Sequence, residues 1–340
     1  MFGFKLTDYD KKVYQEEIDG FLPKKIIDTH THVYPSFANL EKDVSNGYWP
    51  SKVATDWTIE DANQTYLDLF PNQKVIPVIF GNPGTNLEVG NDYVSKAGAY
   101  YDYPTCFLTD YYMTPEYLEE QVVKGGFKGL KPYFYACRKE VDPREAGIYD
   151  YLPHEHLKVA DKLGLTCVLH ISKEERLKNK QNIHDLMEIE EKYPNVKLIV
   201  AHVGRAYAVE DIGDAFETLK HSKKMMFDFC ANTLPEATEK CIEAVGTERL
   251  LFGTDMPIAK MRMSRVVENG YYINIVPKGL YGDLTGAAHM REVEDSSNIT
   301  NFTYEIIRGF KKTAEKLSLS KKDIENIFFN NAAKLYNVKG

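Results

Sequence analysis

Eight short apolar runs rich in β-branched residues recur along the 340-residue chain, each separated from the next by a longer stretch with helical periodicity. The runs lie at 25–29, 75–80, 105–108, 127–132, 165–171, 196–202, 225–229 and 249–253. Helical patterns fall at 58–69, 92–101, 115–124, 154–163, 183–192, 208–219 and 234–244. Buried strands alternating with helices predict a parallel sheet with crossover helices, and eight such units favour closure into a (β/α)8 TIM barrel. The alternative is an open doubly wound sheet, which usually carries a glycine-rich phosphate turn after its first strand. No such turn follows residue 29.

One domain is expected over 1–340, with the barrel core at about 25–338. Two connections exceed the usual loop length, 33–56 after the first strand and 257–301 after the eighth. Both leave from strand C-terminal ends, where barrel enzymes build their sites, so both are candidate substrate-covering segments. The stretch 318–336 opens with a capping pattern and continues at helical spacing, as a closing helix would.

The net charge of −8 carries no basic stripe, which argues against a nucleic-acid partner. No run approaches the ~20 apolar residues of a membrane span. Cys106, Cys137, Cys167, Cys230 and Cys241 are odd in number and form no Cys-x-x-Cys, so they read as reduced thiols. A cytoplasmic protein acting on a small molecule is the expectation, with a homodimer through the outer helices as an assembly suited to such barrels.

Polar residues mark the ends of the predicted strands. His30 and His32 end the first, Lys131 lies late in the fourth, His170 closes the fifth, His202 closes the sixth and Asp255 follows the eighth. Residues two apart on a strand share a face, so His30 and His32 can address one point. In a barrel all these ends converge on one mouth. Imidazoles with one carboxylate suit zinc, or manganese, and a catalytic site keeps one position open for water. His30, His32, His170 and Asp255 are the expected ligands. His202 is then left as a base or as a group that polarises a substrate oxygen, with Asp255 as an alternative proton shuttle. A carbamylated Lys131 could instead bridge two ions, with His170 and His202 serving the second. A free Lys131 ammonium, Arg205 and Arg138 are the candidate partners for substrate carboxylate oxygens. Asp228, inside the seventh strand, is placed to orient a ligand histidine.

The ordered set Asp28-Thr29-His30-Thr31-His32, Gly129-Leu130-Lys131-Pro132, Val168-Leu169-His170, Ala201-His202-Val203-Gly204, Gly253-Thr254-Asp255 and Asn331-Ala332-Ala333-Lys334-Leu335-Tyr336 resembles the amidohydrolase superfamily. More narrowly it resembles the amidohydrolase-related branch that includes aminocarboxymuconate-semialdehyde decarboxylase. The resemblance implies a metal-dependent distorted barrel. The ion would be bound by the residues matching His30, His32, His170 and Asp255, and the residue matching His202 would act in proton transfer. The long segment after Asp255 and the stretch 133–138 depart from the branch, so its substrates do not carry over.

The leading expectation is a hydrolase using metal-activated water on an amide, lactone or ester of a small carboxylate-bearing substrate. The alternative is a non-oxidative decarboxylase of an unsaturated or aromatic carboxylic acid. A barrel that has lost catalysis and serves as a scaffold is disfavoured, because no expected ligand is missing.

Overall fold

A computed structural model describes residues 5–39 and 53–339. All eight expected strands are present: β1 (Lys25–His32), β2 (Lys74–Phe80), β3 (Cys106–Leu108), β4 (Gly129–Lys131), β5 (Thr166–Leu169), β6 (Lys197–Val200), β7 (Met226–Asp228) and β8 (Leu250–Leu251). β1 pairs with β2, and β3 to β8 follow in sequence order, every pair parallel. Two seams complete the ring. Ile79 N donates to Pro104 O at 3.0 Å between β2 and β3. Between β8 and β1, Thr29 N donates to Phe252 O at 3.0 Å and Asp255 N to His30 O at 2.8 Å.

Alternation along the strands sorts side chains into two cores. Ile27, Val78, Phe80, Cys106, Val168, Ile199 and Leu251 fill the barrel interior, and Phe329, Ala332 and Tyr336 of the C-terminal helical segment close its lower end. Their neighbours Ile26, Ile79, Phe107, Leu130, Leu169, Val200 and Phe252 point outward into the larger core beneath the helices. The expected closing helix is thus a plug for the barrel floor. Ser320 caps it, with Asp323 completing the capping box, and a π-helical turn spans Asn326–Asn330.

β1 contains the irregularity that matters most. Asp28 lies opposite Pro77 and Thr31 opposite Ile79, so two β1 residues, Thr29 and His30, face Val78 alone. Such a bulge reverses which parity of residues points inward. The ladder breaks beside Pro77, which has no N–H to donate. The displaced amides are satisfied elsewhere: Thr29 N by β8, and His30 N by the Asp28 carboxylate at 3.0 Å. Ile27 therefore packs in the barrel interior, and three residues later His30 faces inward as well.

The helices at Ile59–Leu69, Pro115–Gly125, His154–Leu163, Lys180–Lys192 and Pro235–Val245 agree with the sequence pattern, and the second helix starts earlier than expected, at Leu87. The pattern at 208–219 is two short helices, Val209–Ile212 and Ala215–Leu219, separated at Gly213, which has φ 52°. The 33–56 segment falls partly outside the described residues. The 257–301 segment is a small sheet: β9 (Ser264–Glu268) and β10 (Tyr271–Pro277) form an antiparallel hairpin, and β11 (Met290–Val293) joins β10 in parallel. Its turn is Asn269-Gly270, both at positive φ, as a two-residue hairpin requires. Among the described residues no helix is long and apolar enough to cross a membrane.

One buried carboxylate ties this sheet to the barrel. Asp10, on the N-terminal helix, is paired with the Arg262 guanidinium and accepts from Thr300 Oγ1 at 2.7 Å and Asn301 N at 3.1 Å. Burial opposes its charge, but the bonds from Arg262, Thr300 and Thr7 outweigh that and hold its pKa below the ordinary 3.8. Asp10→Asn, which removes one charge of this buried pair, is expected to cost about 3–5 kcal/mol near neutral pH. A carboxylate with a depressed folded pKa stabilises above its unfolded value and loses that contribution as pH falls through the folded one. Urea denaturation of both proteins should therefore show the gap closing as pH drops below 3.8.

Candidate active site

The mouth of the barrel is built by bending the chain just beyond the strand ends. After β6, His202, Val203, Gly204 and Arg205 have φ of 59°, 49°, 62° and 61°, a complete left-handed turn. After β7 and β8, Ala231 (47°) and Asp255 (71°) do the same singly. Each non-glycine residue held this way costs roughly 1–2 kcal/mol, and such strain concentrates at functional sites. The surroundings fix the turn. His202 N donates to Asp228 Oδ1 at 2.8 Å, and the Asn232 amide donates to the carbonyls of His202 and Ala206. Gly204 is required there, since a Cβ would lie 2.5 Å from Leu177 Cδ1.

The bends bring three donors together. His30 Nε2 lies 3.6 Å and His32 Nε2 3.4 Å from Asp255 Oδ1, and the three atoms fall within 4.8 Å of one another. The other face of each imidazole is already committed. His32 Nδ1 is 2.7 Å from Gly81 O, and His30 Nδ1 is 3.1 Å from Asp228 Oδ2. A carbonyl or an ionised carboxylate only accepts, so each Nδ1 carries the proton and each Nε2 presents a lone pair. Two lone pairs and a carboxylate oxygen directed at one another form a set of acceptors, and a cation is what such a set fits.

Electrostatics agree with this assignment. Burial opposes a charge on Asp228, yet His30, His202 and the Cys230 thiol hold it well below the carboxylate range. Burial first, then the charge of Lys131, pushes His30 down to about 3. Burial also lowers His202, and its Nδ1 donates to Cys230 O at 2.9 Å, leaving Nε2 as an acceptor. Asp255 is buried, but His32, His30 and His202 keep its pKa below the usual value. Asp28, outside this set, receives bonds from Tyr66, Thr254 and His30 N, yet burial pushes it up to about 6.

The structure gathers some sequence candidates and separates others. His170 stands at the same mouth, 5.0 Å between ring centres from His202, but lies outside the set formed by His30, His32 and Asp255. Its ring is stacked on Tyr133, and its buried Nδ1 has no hydrogen-bond partner. Lys131 is buried in the barrel, with Nζ 3.1 Å from His30 Nε2 and 4.9 Å above the Phe80 ring. It therefore meets His30 rather than His170 and His202, and burial lowers its pKa. Arg205 is half-buried at the pocket. Arg138 is exposed, paired with Asp150 at 2.6 Å, and does not line it.

Asp228 lies against His30, one of the candidate ligands, as the sequence suggested. Three features escaped sequence reasoning: the Gly81 carbonyl, the Cys230 thiol 3.1 Å from both His30 Nδ1 and His202 Nδ1, and Arg265 on β9. Only Arg265 had a discoverable signal, the Asn-Gly hairpin that carries it. His170, His202, Asp255, Arg205 and Arg265 surround a cavity of about 160 Å³ walled by the rings of Tyr133, Phe134, Tyr135, Tyr207 and Tyr272.

A family model described as amidohydrolase matches residues 27–338. The chain belongs to the amidohydrolase family. Amidohydrolases are generally metal-dependent, in keeping with the donor set above. No curated protein matches by sequence. Among solved structures, the chain is similar to 2,6-dihydroxybenzoate decarboxylase complexed with 2,6-dihydroxybenzoate (14% identity, 94% of this chain and 100% of the other, TM-score 0.56). It is similar to a probable 2-pyrone-4,6-dicarboxylic acid hydrolase from Acinetobacter baumannii (16%, 92% and 99%, TM-score 0.58). It is also similar to 5-carboxyvanillate decarboxylase from Sphingomonas paucimobilis (9%, 93% and 100%, TM-score 0.56). At these identities the likeness shows the fold, and the fold is that of TIM-barrel amidohydrolases.

Replacing Asp228 by Asn tests how the His30 ring is held. The amide cannot accept both from His30 and from the His202 and Cys230 amides with a full charge, so metal affinity should fall about 10–100-fold. Competition with a chromophoric chelator reads this directly.

Proposed function

We propose that this amidohydrolase is a metal-dependent hydrolase acting on an amide, lactone or ester of a small carboxylate-bearing substrate, with one divalent ion, zinc or manganese, per chain. The observation that carries the reading is the convergence of His30 Nε2, His32 Nε2 and Asp255 Oδ1, with each Nδ1 already spent as a donor. These three would hold the ion, and His170, whose buried Nδ1 has no hydrogen-bond partner, is a further imidazole at the mouth that could join them. When bound, the ion supplies Lewis acidity that polarises a substrate oxygen and acidifies water.

The chain's own groups do the rest. His202 is neutral, with its proton fixed on Nδ1 by the Cys230 carbonyl, so Nε2 accepts a proton and later returns it to the leaving group. Asp255 is ionised and faces the same space, which suits it to pass a proton between water and substrate. The aromatic walls suit a flat group. A cavity of about 160 Å³ is below the ~300–1,000 Å³ of ordinary ligand pockets, in keeping with a small substrate.

Those flat walls also favour the second reading, a decarboxylase of an unsaturated or aromatic acid, in which His202 or Asp255 protonates the carbon that loses carbon dioxide. Turnover in ¹⁸O-labelled water separates the two. Hydrolysis places the label in the acid product, whereas carbon dioxide release without incorporation selects decarboxylation.

Elemental analysis should find one ion per chain, lost in the His30→Ala/His32→Ala variant. Absence of any ion after reconstitution with zinc or manganese would overturn the metal-dependent reading. His202→Ala should keep the ion and lose about 10²–10⁴-fold in kcat.

A further inference from the structure

Arg265 reaches the active-site pocket from the β9–β11 sheet, not from the barrel. Its position is fixed from several sides. Nε donates to Asn274 Oδ1 at 2.9 Å, and Nη1 donates to Ala231 O at 2.6 Å on the strained residue beyond β7. The guanidinium lies 4.6 Å from the ring centre of Tyr272, 4.8 Å from Phe302 and 5.0 Å from Tyr207. Among the described residues no carboxylate pairs with it. The same holds for Arg205, whose Nη1 reaches only the carbonyls of Ile171 and Lys173.

Two half-buried guanidinium groups at one small cavity, neither paired with an acid, are expensive unless a ligand neutralises them. The negative side chain of that cavity is Asp255, which is engaged with His30 and His32. Aromatic rings surround Arg265, and Nε and one N–H of Nη1 are taken, so the second N–H of Nη1 and both of Nη2 remain along the outer edge. That edge matches the two oxygens of a carboxylate.

We propose that Arg265, supported by Arg205, is the specificity-determining residue of this site and binds a substrate carboxylate that is not the reacting group. This rests on the pocket being the active site. The substrate is then a small acid whose anchoring carboxylate sits on the β9 side while its reacting carbon faces Asp255 and His202. Lysine in place of Arg265 keeps the charge and loses the fork.

The test is calorimetric titration of the full-length protein with benzoate, benzene-1,3-dicarboxylate, glutarate and the neutral dimethyl ester of benzene-1,3-dicarboxylate. It is run on zinc-loaded and on chelator-treated samples of wild type, Arg265→Gln and Arg265→Lys. Melting temperatures close to wild type establish that the variants fold. The expected result is that at least one carboxylate binds and the ester does not. Arg265→Gln weakens that binding about tenfold or more, and Arg265→Lys restores only part of it. The dependence on Arg265 should persist without metal, which separates this inference from the metal-dependent reading. Equal affinity in wild type and Arg265→Gln, or no carboxylate bound by wild type in either state, overturns it, whatever the metal content proves to be.

Discussion

A histidine presented to a cation must first have its other nitrogen protonated and held, and in this barrel that requirement reaches deep into the scaffold. His32 depends on the carbonyl of Gly81, just beyond β2, and His30 on the carboxylate of Asp228 in β7. Asp228 also receives the backbone N–H of His202 and of Cys230. One buried carboxylate therefore sets the tautomer of His30, anchors the left-handed turn that carries the candidate base, and fixes the exit of its own strand. A second, Asp28, joins β1 to Thr254 in front of Asp255. The positions of the donors follow from these two acids more than from the strands themselves.

Buried charge in the barrel is tolerable because each group has a stated counterpart. Asp228 accepts from the His30 imidazole and from the backbone N–H of His202, Lys131 lies over the Phe80 ring beside His30, and Asp10 faces Arg262. Arg265 departs from this pattern, being surrounded by rings and carbonyl oxygen rather than by acid.

Much of this was legible in the sequence, for identifiable reasons. A buried parallel strand must be continuously apolar, so all eight strands were visible, and residues at strand ends in a barrel share one mouth, so His30, His32, His170, His202 and Asp255 could be grouped before any coordinates. What the sequence did not disclose depends on backbone irregularity. The bulge opposite Pro77 and the run of positive φ at 202–205 leave no compositional trace beyond Pro77 and Gly204. The stack of His170 on Tyr133, which sets it apart from the other donors, arises from the turn beyond β4 and could not be read from spacing. Length alone marks the β9–β11 segment as a covering one, and its Asn-Gly turn is the residue signal for the hairpin within it. Helix Phe302–Lys316, with an apolar face on Phe229, follows directly after that segment and is not among the helical patterns read from the sequence.

The segment that carries Arg265 begins at Arg262 and ends at Thr300, and both ends return to the single carboxylate of Asp10. Its two feet are thus clamped at one place on the scaffold, away from the Nε2 atoms of His30 and His32. The hydrogen bonds that hold His30, His32 and the backbone of Asp255 all lie outside that segment. The candidate donor set and the sheet that overhangs it are thus separately anchored parts of one mouth, joined where Arg265 meets the Ala231 carbonyl.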